Sequence, residues 1–371
     1  MTELQNAPKQ NWPLYTVVMR SSKWRRRRGV RRAHRVARPP ALPPAHTLIP
    51  LSRRYLSVKV LFSTLLLFCL LSATAQLTYE TLYVDYDSAW QFKNLKIVPV
   101  RRKAGGGAPS GMPDMDVVSL SQALSQGLVT VSERGTTSFD NVHWLRFNTH
   151  SNKSVYISGG EIISGGRQDR MIVRDTILGP STKDQYVPVM CVEEGRWSDK
   201  EKKFGYGNYA NQHLRKVLDS TGNQVLIWRE VDRQLQAGAF KNNSLAYLSR
   251  YQDKKYNLAG DEYFHFFRDK FARTDSNVVG FVAISGDKVI GSDIFAGPDL
   301  FYHQLDPLLH GYIDEAIMSG APVIMKDPPI KRYMDKLLKD EVSQEEFVHK
   351  NGKIFRQQGQ VIHVNTFLKE Q

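Results

Sequence analysis

VVGFVAISGDKVIGSDIF, residues 278–295, holds two apolar and β-branched runs joined by Ser285-Gly286-Asp287. Such runs meeting at a glycine-containing turn predict a hairpin, with strands over Val278 to Ile284 and Lys288 to Phe295. Upstream, the apolar residues fall three or four apart: Leu214, Val217 and Leu218, then Val225, Trp228 and Val231, then Leu245 and Leu248, then Phe264, Phe267 and Phe271. That spacing predicts helices. Downstream, helices are expected at Pro307 to Met318 and Ile330 to Leu338, followed by a closing strand pair, Lys353 to Arg356 and Gln360 to Asn365, around Gly359.

Toward the N-terminus the pattern is strand-like. Leu95 to Val100, Leu128 to Ser132, Val142 to Phe147, Ser154 to Ile157, Met171 to Ile177 and Tyr186 to Val192 are short, β-branched or aromatic, and bounded by Gly, Asn, Ser or Pro. A short amphipathic helix is expected at Val117 to Ser125. The fold class is therefore α+β, with mainly antiparallel sheet in the N-terminal half, a helical middle and further strands near the C-terminus.

Lys and Arg number 51 against 37 Asp and Glu, a formal charge of +14. The excess sits at the start. Without the basic and acidic residues of 1–57 and without Lys59, 37 basic and 36 acidic side chains remain, so a nucleic-acid groove has no electrostatic footing in the main body. Only Cys69 and Cys191 exist, which excludes a disulfide scaffold.

Residues 58–75 read as a secretory signal peptide: Lys59, an apolar run from Val60 to Leu71 too short to span a bilayer, then Ala73-Thr74-Ala75. Cleavage after Ala75 would leave Gln76 as the first residue of an exported, periplasmic or secreted chain, touching the membrane only through its leader. Phe68 before Cys69 argues against lipidation. Residues 1–57, with RRRRGVRRAHRVARPPALPP, hold no hydrophobic period and are expected to be disordered. An overlong gene model with translation starting at position 58 explains them better than an arm binding RNA or lipid headgroups. Residues 76–371 are then one α+β domain.

The densest glycine and polar run, Ser158-Gly159-Gly160-Glu161-Ile162-Ile163-Ser164-Gly165-Gly166-Arg167-Gln168-Asp169-Arg170, allows sharp turns or close approach of backbone to a ligand. About thirty residues later, Pro188-Val189-Met190-Cys191-Val192-Glu193-Glu194-Gly195-Arg196-Trp197 ends a strand with a thiol, two acids, an arginine and an indole. Period two would put Cys191 and Glu193 on one face.

The pair GGEIISGGRQDRMI and VPVMCVEEGRW resembles the ARG and Rhodanese-Phosphatase-superfamily-associated protein domain, a family named for gene neighbours that include ADP-ribosylglycohydrolases. The resemblance covers most of the chain after the leader, and GFVAISGDKVIGSDIFAGPDLF is similar to that family too. It implies a shared fold and a polar site around Glu161, Gln168, Arg170, Cys191, Glu193, Arg196 and Trp197, and it assigns no reaction or cofactor.

Two function classes stay open. In one, an exported protein binds or hydrolyses a small anionic, nucleotide- or sugar-derived ligand, with Glu161 or Glu193 as general base and Gln168, Arg170, Arg196 and Trp197 holding it. In the other, the same residues only organise a non-catalytic binding or structural module: Glu161 pairs with Arg170 or Arg196, Trp197 caps the core, and Cys191 is a buried small hydrophobe with no partner to lower its pKa.

Asp299, His303, Asp306, His310 and Asp314 share a helical spacing that suits metal ligands, but Asp306-Pro307 reads as N-cap and first helical residue, with His310 and Asp314 facing solvent. No metal site is assigned. The basic loop Arg101 to Gly107 lacks the GK[ST] ending of a phosphate-binding loop and reads as a mobile connection.

Overall fold

A computed structural model describes residues 77–104, 117–134, 142–197, 202–272 and 277–367. The Arg/Pro-rich stretch 1–57, the stretch 58–75 read as a leader, and Gly105 to Gly107 lie outside the described residues. The strands are β1 (Leu82–Val84), β2 (Trp90–Phe92), β3 (Leu95–Arg102), β4 (Val117–Ser119), β5 (Val129–Glu133), β6 (Trp144–Thr149), β7 (Ser154–Ile157), β8 (Glu161–Gly166), β9 (Arg170–Ile172), β10 (Thr176–Leu178), β11 (Gln185–Cys191), β12 (Lys202–Tyr209), β13 (Val278–Ser285), β14 (Lys288–Phe295), β15 (Gly352–Gln357) and β16 (Gln360–Phe367). The helices are α1 (Leu120–Ser125), α2 (Gln212–Thr221), α3 (Gln224–Ala237), α4 (Lys254–Ala272), α5 (Pro298–Met318), α6 (Asp327–Leu338) and α7 (Glu341–Asn351), with a 3-10 turn at Tyr247–Gln252.

The chain is α+β, and among the described residues its strands form three sheets. A seven-stranded sheet runs β1-β3-β13-β14-β16-β15 with β2 also on β3; a six-stranded one runs β12-β8-β9-β11-β6-β5; β10-β7-β4 make the third. The expected separation of early and late strands does not hold, because β3 pairs with β13 and so joins the early strands to the closing ones in one sheet. The predicted hairpin is present, with Gly286 at φ +60° in its turn.

Residues of β13 alternate between two cores. Phe281 and Ala283 pack with Phe295, Phe301, Leu305 and Tyr312, while Val282 and Ile284 pack with Val98, Ile330, Met334 and Leu337. With α5 on one face and α6 on the other, every residue of β13 is buried, which is why it reads as a continuous apolar run. Truncating Phe281 to Ala in such a site costs roughly 3–5 kcal/mol. The six-stranded sheet repeats the scheme: Ile163, Ile172 and Val189 face one core, and Ile162, Met171 and Met190 face another that includes Leu214 of α2 and Ile227 and Val231 of α3.

Several expected elements are corrected. Val117 to Ser119 is a strand, and the helix starts after it, capped by the Ser119 hydroxyl. Met171 to Ile177 is divided between β9 and β10. Ahead of the expected helices, the first described element after Trp197 is a strand, β12. Leu245 has φ +49° and lies outside the 3-10 turn. Helix α5 begins at Pro298 and runs through Pro307, so Asp306 is no N-cap; the missing Pro307 N–H is absorbed within one long helix whose buried side packs on β13. On that helix Asp314 is buried instead of solvent-facing, and His310 is stacked on Phe264.

Candidate functional site

The two quoted motifs fold as neighbouring strands. Ile163 of β8 lies opposite Arg170 of β9, and Arg170 lies opposite Cys191 of β11. Glu161 to Gly166 is thus strand, and the second glycine pair, not the whole run, makes the corner. A Cβ on Gly165 would stand 2.4 Å from the Lys203 carbonyl oxygen, and one on Gly166 2.1 Å from the Phe204 ring. Both residues have positive φ, +119° and +52°. The glycines are there because β12 passes too closely for any side chain.

At that corner Arg196 is the hub. Its Nε donates to Glu193 at 2.8 Å, its Nη2 to Asp169 at 2.9 Å, and its guanidinium also reaches the Gly165 and Gly166 carbonyls at 3.2 and 3.1 Å. Glu193 accepts in addition from the Asp169 N–H at 3.1 Å and the Ser244 hydroxyl at 2.7 Å. Burial pushes the Glu193 carboxyl up, but Arg196, Ser244 and the Asp169 N–H outweigh it, so Glu193 is held below the ordinary carboxylate range. Burial dominates at Asp169, whose carboxyl is raised with Glu193 adding to the effect.

The remaining predicted residues are dispersed. Gln168 donates to the Glu194 carbonyl at 3.2 Å. Arg170 is fully buried, donating to the Gln168 carbonyl at 2.9 Å and pairing with Glu133 at 3.3 Å, so its partner is not Glu161. Cys191 is buried, and its backbone is clasped by the Gln224 amide at 2.8 and 2.7 Å. Burial pushes its thiol up. Trp197 does not cap the core: it is 48% exposed, with the Arg167 guanidinium 5.5 Å from its ring.

Glu161 is fully buried and pairs with neither arginine. One carboxyl oxygen accepts from the Ser158 N–H at 2.7 Å and the other has no partner among the described residues. Burial pushes it up to about 8, with Asp175 adding and the Ser158 N–H opposing.

A cleft of about 700 Å³ opens over the Arg196 hub. Asp169, Glu193, Arg196, Lys202, Lys203 and Lys241 are its charged lining residues, and Ser164, Asn242, Asn243, Ser244, Ser249 and Gln252 supply polar groups. Of the predicted residues only Glu193 and Arg196 line it.

Sequence reading missed a second constellation. His363 of β16 is fully buried between two carboxylates, Nδ1 at 2.6 Å from Asp175 and Nε2 at 3.0 Å from Asp293, with its ring stacked on Phe295 at 4.0 Å. Asp293 also takes a two-pronged grip from Arg215 of α2 and the Tyr312 hydroxyl at 2.7 Å. Burial disfavours the imidazolium, yet Asp175 and Asp293 outweigh it and push His363 up to about 9. The available signal was a polar residue inside an apolar strand, Asp293 in VIGSDIF and His363 in VIHVNTF.

The acid and histidine run on α5 is aligned on one continuous helix. Asp314, however, accepts from Tyr251, from Tyr256 at 2.7 Å and from Tyr247 at 3.4 Å, and Asp306 pairs with Arg268 at 2.8 Å. Among the described residues no group of three His, Cys, Asp or Glu is placed to hold a metal ion, and no helix is long and apolar enough to cross a membrane.

The family model described as the ARG and Rhodanese-Phosphatase-superfamily-associated Protein domain matches residues 83–370. No curated protein and no solved structure matches the chain.

Proposed function

The chain belongs to the ARG and Rhodanese-Phosphatase-superfamily-associated Protein domain family, a membership that leaves the ligand to be read from the cleft, where we propose that a small anion of nucleotide or sugar origin is bound without being turned over. The observation behind this reading is the charge left over in the cleft lining. Arg196 pairs with both Glu193 and Asp169, whereas Lys202, Lys203 and Lys241 have no acidic partner among the described residues, so four cations against two acids leave the lining with two positive charges in excess. Serine, asparagine and glutamine side chains around them both donate and accept, which suits a hydroxyl-rich body. A 700 Å³ cleft is of the size that takes such ligands.

The hydrolytic alternative has less support. A general base at neutral pH is helped by a raised pKa, whereas Glu193 is held below the ordinary carboxylate range by Arg196, Ser244 and the Asp169 N–H and is a weak base. Glu161 does not line the cleft.

Titration calorimetry with inorganic phosphate, a nucleoside monophosphate and a hexose phosphate tests the reading. Binding of at least one, weakened about tenfold or more when Lys202, Lys203 and Lys241 are replaced by Ala, is expected. Heat from none of the three, or affinity unchanged in the triple variant, overturns it.

We also propose, from the leader-like sequence of residues 58–75, that the protein acts outside the cytoplasm and begins near Gln76. N-terminal sequencing of protein from fractionated cells decides this; Arg-rich N-terminal peptides in a cytoplasmic pool would end it.

A further inference from the structure

A second cavity, of about 570 Å³, shares no lining residue with the anion cleft. It is bounded by the segment Val173 to Ile177, by Arg215 and Leu218 of α2, by Lys353 to Gln357 of β15, and by Asn365 and Phe367 of β16. Its apolar surface comes from Val173, Ile177, Leu218, Ile354, Phe355 and Phe367. Four cationic side chains line it against one acid, Asp175.

Counting partners shows which charges are available to a ligand. Arg215 is consumed by the Asp293 fork. Lys353 pairs with Asp219 at 2.9 Å, and Arg356 with Glu341 and Glu345 at 3.2 and 2.6 Å. Asp175 has its oxygens filled by the Gly159 N–H at 2.7 Å, the Tyr156 hydroxyl at 2.9 Å and His363. Arg174, exposed beside Asp175, has no side-chain partner among the described residues. The cavity therefore offers apolar walls and one unspent guanidinium.

Its shape is fixed in advance. The chain Asp175, His363, Asp293, Arg215 ties the β9–β10 connection to β16, β14 and α2 through buried charge-assisted bonds. A site that needs no ordering on binding keeps more of its contact energy as affinity. We propose that this cavity is a second binding site, taking a small aromatic or otherwise apolar monoanion whose body sits among Ile177, Leu218, Phe355 and Phe367 and whose charged group meets Arg174.

The test uses the full chain and two fluorescent probes of one shape, anionic 1-anilinonaphthalene-8-sulfonate and the uncharged N-phenyl-1-naphthylamine. The anion is expected to bind saturably at one equivalent, about tenfold more tightly than the neutral probe, and not to be displaced by inorganic phosphate. Arg174→Glu should cost the anion that factor and leave the neutral probe unchanged; Ile177→Trp, which fills the cavity, should abolish both. No saturable binding, equal affinity for the two probes, or an anion affinity untouched by Arg174→Glu overturns the proposal. Arg174 is exposed, so its variant decides the matter even where Ile177→Trp does not fold.

Discussion

Arg215 grips Asp293 through both terminal nitrogens, Nη1 at 3.1 Å from Oδ2 and Nη2 at 2.9 Å from Oδ1, with both side chains buried. The guanidinium is also flanked by the rings of Tyr209 and Phe367, 5.0 and 5.2 Å from their centroids. Removing one partner of such a pair strands the other charge in the core. Arg215→Met is expected to destabilise the fold by about 3–5 kcal/mol. Urea denaturation measures it, and a loss below about 1 kcal/mol would mean that the pair contributes little.

His363 sets an alkaline limit. Its folded pKa of about 9 lies above the ordinary value of 6.5, so the stabilisation is complete below pH 6.5 and is lost as the pH rises through 9. The full loss is on the order of 3 kcal/mol. Asp293, pulled down to about 2 by Arg215 and His363 against the effect of burial, adds stability above its ordinary value of 3.8 that is lost as the pH falls through 2. Denaturation midpoints from pH 6 to 10 should decline in the wild-type chain and stay flatter in His363→Gln.

The hairpin at 278–295 was legible because buried strands with a glycine turn announce themselves locally. Strand β12 was not. Its sequence, KKFGYGNY, has no β-branched residue and two glycines, and it is a strand because β8 offers it a partner along the sheet edge. Asp314 was misplaced for a similar reason: the three tyrosines that bury it come from the 3-10 turn and α4, some sixty residues earlier. Of the site, the composition of the glycine corner and the residues Glu193 and Arg196 were visible in sequence, but their pairing was not, since the residue pattern matched Arg196 with Glu161 instead. The Asp175–His363–Asp293–Arg215 chain was not, since its members meet only through the pairing of distant strands and no spacing rule links them.

Cys191 is 2% exposed and its thiol is pushed up by burial, with Glu133 adding and Arg170 opposing. A thiolate is the reactive form, so this one is protected twice. Native protein should react with a thiol reagent over hours, and denatured protein within seconds. Fast native labelling would contradict the burial. Cys191→Ser should fold, at a cost of roughly 1–3 kcal/mol for burying a hydroxyl in place of the thiol.

Glu161 works against the fold at neutral pH. With its carboxyl raised to about 8, the native state keeps a proton that the unfolded chain releases near pH 4.5, so stability falls as the pH rises from 4.5 to 8. By pH 7 the deficit is on the order of 3 kcal/mol. Glu161→Gln removes the titration and should match or exceed the wild type at pH 7 while gaining nothing at pH 4. Because Glu161 does not line the anion cleft, the variant should also bind phosphate esters normally. A loss of that binding with the fold intact would bring Glu161 back into the site.

Arg196 is expected to be the most sensitive residue of the cleft, for a structural reason. It is the only cation bonded to both Glu193 and Asp169 among the described residues, and it also bonds the carbonyls of both corner glycines. Arg196→Met leaves two neighbouring carboxylates facing each other and two carbonyls without their donor. With the side chain 22% exposed, water softens the penalty, and a loss of about 2 kcal/mol is expected. Glu193→Gln should restore part of it, since the amide removes one of the repelling charges. A double-mutant cycle by chemical denaturation reads this directly: a coupling of at least about 1 kcal/mol identifies the pair as the frame of the cleft, whereas additive losses would mean that Arg196 and Glu193 act independently. Arg196→Lys should recover less than half of the stability, because a single ammonium cannot reach two carboxylates and two carbonyls with the geometry of the guanidinium fork.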